Sequence, residues 1–349
     1  MLAQPPTPGG SVTCPSVRID TQLRAPLAGA ADEARALRHA GFDGVFTFEG
    51  PHDVFLPLAP AAAVEGLDLY TNLAIAFPRS PTHLAHMAYD LHQASGGRFA
   101  LGLGTQVRPH IEKRYGATWS KPVARMRELV EATRAVLTCW QEGGRLDVNG
   151  EFYELTLMPP TFNPGPLPFG PPPIWVGALG PRMTRMVAEI ADGLLVHPFN
   201  SDRFVREHTL PGIAEGIAAS GRARSDFTLV CETIVCAWRD EDERAAAVAG
   251  AKGLLAFYGS TPAYRPVLDA DGAGDLQPEL NRMTKEGRWA ELGDLVDDDL
   301  LGRIAVCGEP AEVARQIHER FDGVADRLAF YTPYAIDPTL TAEVLDRLR

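Results

Sequence analysis

The stretch "GGRFALGLGTQVRPH", residues 96–110, decides between two α/β architectures. An apolar run leads into Gly102-Leu103-Gly104, as it would in a dinucleotide-binding fingerprint. That fingerprint needs G-x-G-x-x-G opening a helix directly, with an acidic residue about 20 positions later. Val107 stands where the third glycine belongs, and the following "VRPHIEKRYGATW" does not read as an immediate crossover helix. The stretch fits better as a barrel strand whose C-terminal end, Gly104-Thr105-Gln106, reaches the rim where (β/α)₈ proteins build their sites. Glycine there admits a flat ligand to the backbone, and Thr and Gln offer uncharged hydrogen bonds.

Reading outward, strand and helix patterns alternate. "SVRIDTQL" (16–23) is extended, and "AADEARALRHAG" has helical spacing that stops at Gly41. "DGVFTFEG" (43–50) and "LDLYTNLAIAFP" (67–78) are further strands, followed by a helix with Leu84, Met87 and Leu91 on one face. After 98–104 come a helix over 120–140 capped by Ser120, an Asn-Gly hairpin signal and a Pro-rich loop. "PIWVGA", "GLLVHPF", "FTLVCETIVCAW" and "DRLAFYTPY" complete eight strands. The pattern predicts a (β/α)₈ TIM barrel over 16–349, behind a Pro- and Gly-rich lead-in at 1–15. It carries a lid-like insertion after strand four (107–171) and a helical one between strands seven and eight (241–300).

The chain has 349 residues, 45% of them hydrophobic and 22% charged, enough for a sizeable core. Its net charge of −12 argues against nucleic acid and against an anionic membrane surface. No apolar run reaches the ~20 residues of a membrane-spanning helix, and the N-terminus lacks a signal-peptide pattern, so a cytoplasmic location is expected. Five cysteines, at 14, 139, 231, 236 and 307, are scattered. Cys231 and Cys236 should face opposite sides of a strand, which suits buried thiols and not a metal.

"SGGRFALGLGTQ" with "RPHIEKRYGATW", "AFPRSPTHLAHMAYDLHQASGGRFALGLGTQV" and "PPIWVGALGPRMTRMVAEIADGLLVHPF" resemble the luciferase-like monooxygenase superfamily. More narrowly they are similar to its oxidoreductases that use the deazaflavin coenzyme F420. The likeness runs from about residue 16 to 335 and implies the barrel, a hydride transfer to or from a small organic substrate, and often a homodimer. FMN is the alternative coenzyme on this fold.

Several residues follow as candidates. "VGALGPRM" offers Gly177, Ala178, Leu179 and Gly180 opening a helix at Pro181, with Arg182 as charged donor, for a coenzyme phosphate. The resemblance implies a non-prolyl cis peptide behind the coenzyme ring, expected at Ala76-Phe77. Gly104, Thr105 and Gln106 would line the ring, and His197 would bond coenzyme or substrate. Arg108 and His110 could reach a phosphate or the coenzyme's acidic tail. Glu49 and His52, closing strand two, are the candidate proton carriers. In the family's deazaflavin alcohol dehydrogenases a His follows strand two and a Glu follows strand four; here His52 is displaced and Gln106, which cannot titrate, replaces the Glu. His83, His86 and His92 read as solvated or partly buried and not as metal ligands. Phe46, Phe48, Phe55, Phe77 and Trp119 hint at an apolar pocket. Rival readings are an FMN-dependent monooxygenase, a barrel hydrolase or lyase using Glu49 and His52 with or without a metal, and a coenzyme-binding protein without catalysis.

Overall fold

The computed structural model describes residues 17–349, so the lead-in at 1–15, with Cys14, lies outside the described residues. Eight strands form the barrel: β1 (Arg18–Gln22), β2 (Gly44–Thr47), β3 (Asp68–Thr71), β4 (Phe99–Gly104), β5 (Ile174–Ala178), β6 (Gly193–Val196), β7 (Thr228–Ala237) and β8 (Arg327–Tyr331). Each pairs in parallel with the next, and β8 pairs back with β1. The sheet therefore closes into the predicted (β/α)₈ barrel.

The interior is filled. Phe46, Tyr70, Ala100, Trp175, Leu195, Val230 and Ala329 pack together along the axis. Beneath them, Arg327 grips Asp20 through two bonds of 2.7 and 2.6 Å and reaches Asp68 at 2.7 Å. Gly102 is where β4 comes closest to β3, and a Cβ there would collide with the Thr71 carbonyl oxygen. The Thr71 hydroxyl also donates to the Gly102 carbonyl (2.7 Å) and accepts from its N–H (2.9 Å), so only glycine satisfies this crossing.

Outside run the longer helices α1 (Ala30–Ala40), α2 (Pro81–Ala94), α3 (Pro122–Glu142), α4 (Pro181–Ile190) and α5 (Leu210–Ser220). α1 stops at Gly41, whose φ of 107° is open to glycine, as its sequence suggests. α3 starts at Pro122 after Lys121, with no side-chain cap, where Ser120 was the expected cap. The proline, preset for a first helical turn, marks the start instead. α3 packs between α2 and α4 as the barrel's crossover helix, so the 107–171 stretch is not all lid. The predicted hairpin forms from Val148–Asn149 and Glu154–Leu155, its turn amides bonded to the Glu128 carboxylate.

The predicted third strand is interrupted. β3 ends at Thr71, the cis peptide falls at Asn72-Leu73, and Ala74–Ile75 then pairs with the end of β4. The expectation of a cis bond at Ala76-Phe77 is thus corrected by four residues. Ala76 is fully buried, its N–H donating to the Gly104 carbonyl, and Phe77 is enclosed by Trp119 and Arg125. The pair sits behind the rim and not on its open side.

β7 is ten residues long, and its far end pairs with Val306–Gly308. There Ile234 and Cys236 face a second core with α6 (Glu241–Gly259) and the rest of the 241–300 insertion, while Cys231 faces the main core. The two thiols lie on opposite faces, as their spacing predicts.

Candidate functional site

The strand ends make a mouth with an apolar floor. Leu73 lies across Gly104 and Gly177: a Cβ on Gly177 would stand 2.5 Å from Leu73 Cδ2, and one on Gly104 would overlap the same side chain. Gly104 and Gly177 are thus the positions where β4 and β5 yield space above the barrel core. Gln106 adopts a left-handed φ of 58°, and its side-chain oxygen accepts from the Val107 N–H at 2.9 Å. Its carbonyl oxygen is therefore engaged locally. Thr105 is half-buried beside it, and Arg108 and His110 are exposed, Arg108 pairing with Glu112.

β5 leads into Ala178 and Leu179, both half-buried, and the exposed Gly180, which has nothing within 4 Å of where a Cβ would be. Gly180 precedes α4 without a side-chain cap, so the first-turn amides of α4 are left to outside acceptors. Arg182 is exposed and makes no ion pair among the described residues. Backbone donors and the helix dipole meet at this helix start, with Arg182 in its first turn, an arrangement that suits an anion.

The two predicted proton carriers are placed differently. Glu49 accepts from the Ile75 N–H (2.7 Å), Arg79 (2.7 Å) and the Tyr115 hydroxyl (2.8 Å). Burial and that bond to Glu49 raise the Tyr115 pKa. The carboxylate ties the broken third strand to the segment after β4. His52 lies exposed on the loop after β2. The histidines of α2 go to separate partners: His83 to Ser80, His86 against Trp140, and His92 to the Phe99 carbonyl. Of the five aromatic candidates, Phe46, Phe55 and Phe77 are buried and Phe48 stands 45% exposed at the mouth, while Trp119 packs on Phe77.

His197 follows β6, and its Nδ1 accepts from the Phe199 N–H at 3.1 Å. Burial holds its pKa down at about 3, so the ring is neutral with its proton on Nε2. The insertion brings Tyr258 and Tyr264 against it, each with ring centroids 4.6 Å away. Tyr258 also meets Tyr331 at the end of β8. Beside them Glu232 of β7 accepts from Asn72 Nδ2 at 2.9 Å. Burial pushes its carboxyl up to about 8, with the Asn72 bond pulling the other way.

A family model described as luciferase-like monooxygenase matches residues 7–327. The chain belongs to the luciferase-like monooxygenase family. Within it, an uncharacterised protein of Mycobacterium tuberculosis is 47% identical over 313 residues, covering 89% of this chain and 92% of that one. A putative coenzyme F420-dependent oxidoreductase of the same organism is 32% identical, covering 84% and 87%. The solved coenzyme F420-dependent tetrahydromethanopterin reductase of Methanopyrus kandleri superposes with a TM-score of 0.76 at 20% identity, over 95% of this chain and 96% of that one.

For a luciferase-like barrel, the residues that sequence reasoning missed are Asn72, Leu73, Glu232, Tyr258 and Tyr264. Glu232 did leave a signal: it is the one charged residue in "FTLVCETIVCAW" and shares the parity of the inward-facing Val230. The two tyrosines left none, because only the folding of the insertion brings them to the mouth.

Proposed function

We propose that this protein is an F420-dependent oxidoreductase that passes a hydride between the deazaflavin and a small organic substrate at the barrel mouth. The observation that carries the reading is the pairing of an opened apolar floor, Leu73 with Gly104 and Gly177, with an uncapped helix start and the unpaired Arg182 beside it. A flat ring with an anionic arm fits that pairing. Gly177, Ala178, Leu179, Gly180 and Arg182 would hold the phosphate, with Gly104, Thr105 and Gln106 beside the ring and His197 at its far side. Ala76 and Phe77 support the rim from behind. When bound, the coenzyme supplies the two-electron chemistry, and the chain supplies orientation and proton handling.

Of the predicted pair, Glu49 fastens the rim through its three donors, and His52 stands exposed on the loop after β2. The 32% identical relative named a putative coenzyme F420-dependent oxidoreductase supports the deazaflavin over FMN, the coenzyme of the rival monooxygenase reading.

The placement of the phosphate is tested with Arg182→Ala. A hydrogen bond to a charged group contributes about 1.5–3 kcal/mol, so F420 affinity should fall about 10- to 100-fold by fluorescence titration. Gly180→Ala, at a φ of −74° with open space around it, should keep the fold. Unchanged affinity in Arg182→Ala would remove the phosphate from this helix.

A further inference from the structure

We propose that Glu232 is the proton donor of this mouth, a carboxylic acid held by Asn72 and aimed at a substrate whose carbonyl or imine is to be reduced. The inference rests on the coenzyme reading above and goes beyond it in naming both a residue and a substrate class.

The geometry comes first. Glu232 is two residues beyond Val230, which packs inside the barrel, so its side chain rises from the interior toward the strand ends. Asn72 Nδ2 is its one hydrogen-bond partner among the described residues. Asn72 directly precedes Leu73, the side chain across the floor, so the carboxyl stands at the edge of the surface read as the ring's seat. The other mouth candidates are differently engaged: Glu49 accepts three bonds, Gln106 is folded onto its own backbone, and His197 is neutral.

The groups around Glu232 do not offset an ionised carboxylate. From the barrel interior and β8 it faces the tyrosines Tyr70 and Tyr331, from α6 Tyr258, and beyond Tyr258 the uncharged His197. Arg24 donates to the carbonyl of Thr332, the residue after Tyr331. Asp202 and Arg320 line a small cavity together with Glu232, and Arg320 spends its donors on the Gly302 and Ala305 carbonyls. With its pKa at about 8, the group carries its proton at neutral pH.

The step balances with the reduced deazaflavin as reductant. Hydride delivers two electrons to the substrate carbon, and the C=O or C=N π bond opens onto the heteroatom. The Glu232 O–H bond breaks as a new O–H or N–H forms. The carboxylate left behind recovers a proton from solvent. A donor protonated at the working pH suits reduction better than the reverse direction.

The test uses the full chain, wild type and Glu232→Gln, which keeps an oxygen for Asn72 to bond. Infrared spectra of the coenzyme-free wild type should show a protonated-carboxyl stretch at pH 7 that disappears as pH rises through about 8 and is absent from the variant. Because the folded-state pKa is raised, the stability this group contributes is full below its ordinary value of 4.5 and is lost as pH rises through about 8. The variant should therefore melt no lower than wild type at pH 9. With reduced F420 bound, single-turnover oxidation by the fastest of cyclohexanone, benzaldehyde and 1-pyrroline at pH 7 should be at least about 100-fold slower in Glu232→Gln, with F420 affinity little changed. A missing infrared band, equal oxidation rates, or no oxidation by either protein overturns the donor role. Failure of the wild type to bind F420 at all would instead sink the coenzyme reading, with the infrared band still reporting on Glu232.

Discussion

Arg327→Ala is expected to lower the unfolding free energy by about 3–5 kcal/mol, read as a fall in the urea midpoint at unchanged slope. Asp20 is fully buried and Arg327 nearly so, and the pair is completed by Asp68 and by the Tyr70 hydroxyl, which donates to Asp20 at 3.1 Å. Burial pushes the Asp20 carboxyl toward its neutral form, and Arg327 and Tyr70 offset that push. Removing the guanidinium leaves the buried Asp20 carboxylate without a cation, while Asp68 keeps Arg18 at 2.6 Å, and an unpaired buried charge costs far more than the intact pair contributes. The double variant Asp20→Asn, Arg327→Met should lose less than the sum of the single changes, because its residues are in direct contact. A loss below about 1 kcal/mol in Arg327→Ala would show that water reaches the base of the barrel.

Gly177→Val is the change expected to damage coenzyme binding most while sparing the fold. The nearest obstacle to its Cβ is the far end of the flexible Leu73 side chain, and the next atoms are the Leu103 and Leu195 carbonyl oxygens at 3.7 and 3.9 Å. A β-branched residue is at home in a strand. The added side chain and the displaced Leu73 both move into the mouth and not into the packed interior, so the clash falls on a bound ring and not on the fold. F420 affinity should fall by about 100-fold, with a thermal midpoint close to wild type. Retained affinity would mean that the ring does not lie over β5.

The alternation of strand and helix was readable because a parallel barrel leaves both faces of its strands apolar and punctuates each return with a turn signal. The stop at Gly41 and the Asn149-Gly150 hairpin were legible for the same local reason. The cis peptide was not. "LDLYTNLAIAFP" carries no proline at 72 or 73, and what separates Asn72-Leu73 from Ala76-Phe77 is pairing with β2 and β4, a tertiary property. The helix at 122–142 was visible in its spacing, but its place between α2 and α4 was not, so the whole 107–171 stretch read as a lid. At the site, glycines and Arg182 announced themselves by type and spacing. Glu49 did too, yet its three donors come from the broken third strand and from the segment after β4. The Glu232 environment is assembled from β3, β7, β8 and an insertion, and no local pattern encodes such a meeting.

The most direct measurement is a pair of fluorescence titrations of the wild-type protein, one with oxidised F420 and one with FMN, under the same buffer and salt. Saturable binding of F420, at least about tenfold tighter than FMN and lost in Gly177→Val, is the expected result; a tenfold ratio corresponds to about 1.4 kcal/mol. Tighter binding of FMN would contradict it and turn the mouth toward oxygen chemistry.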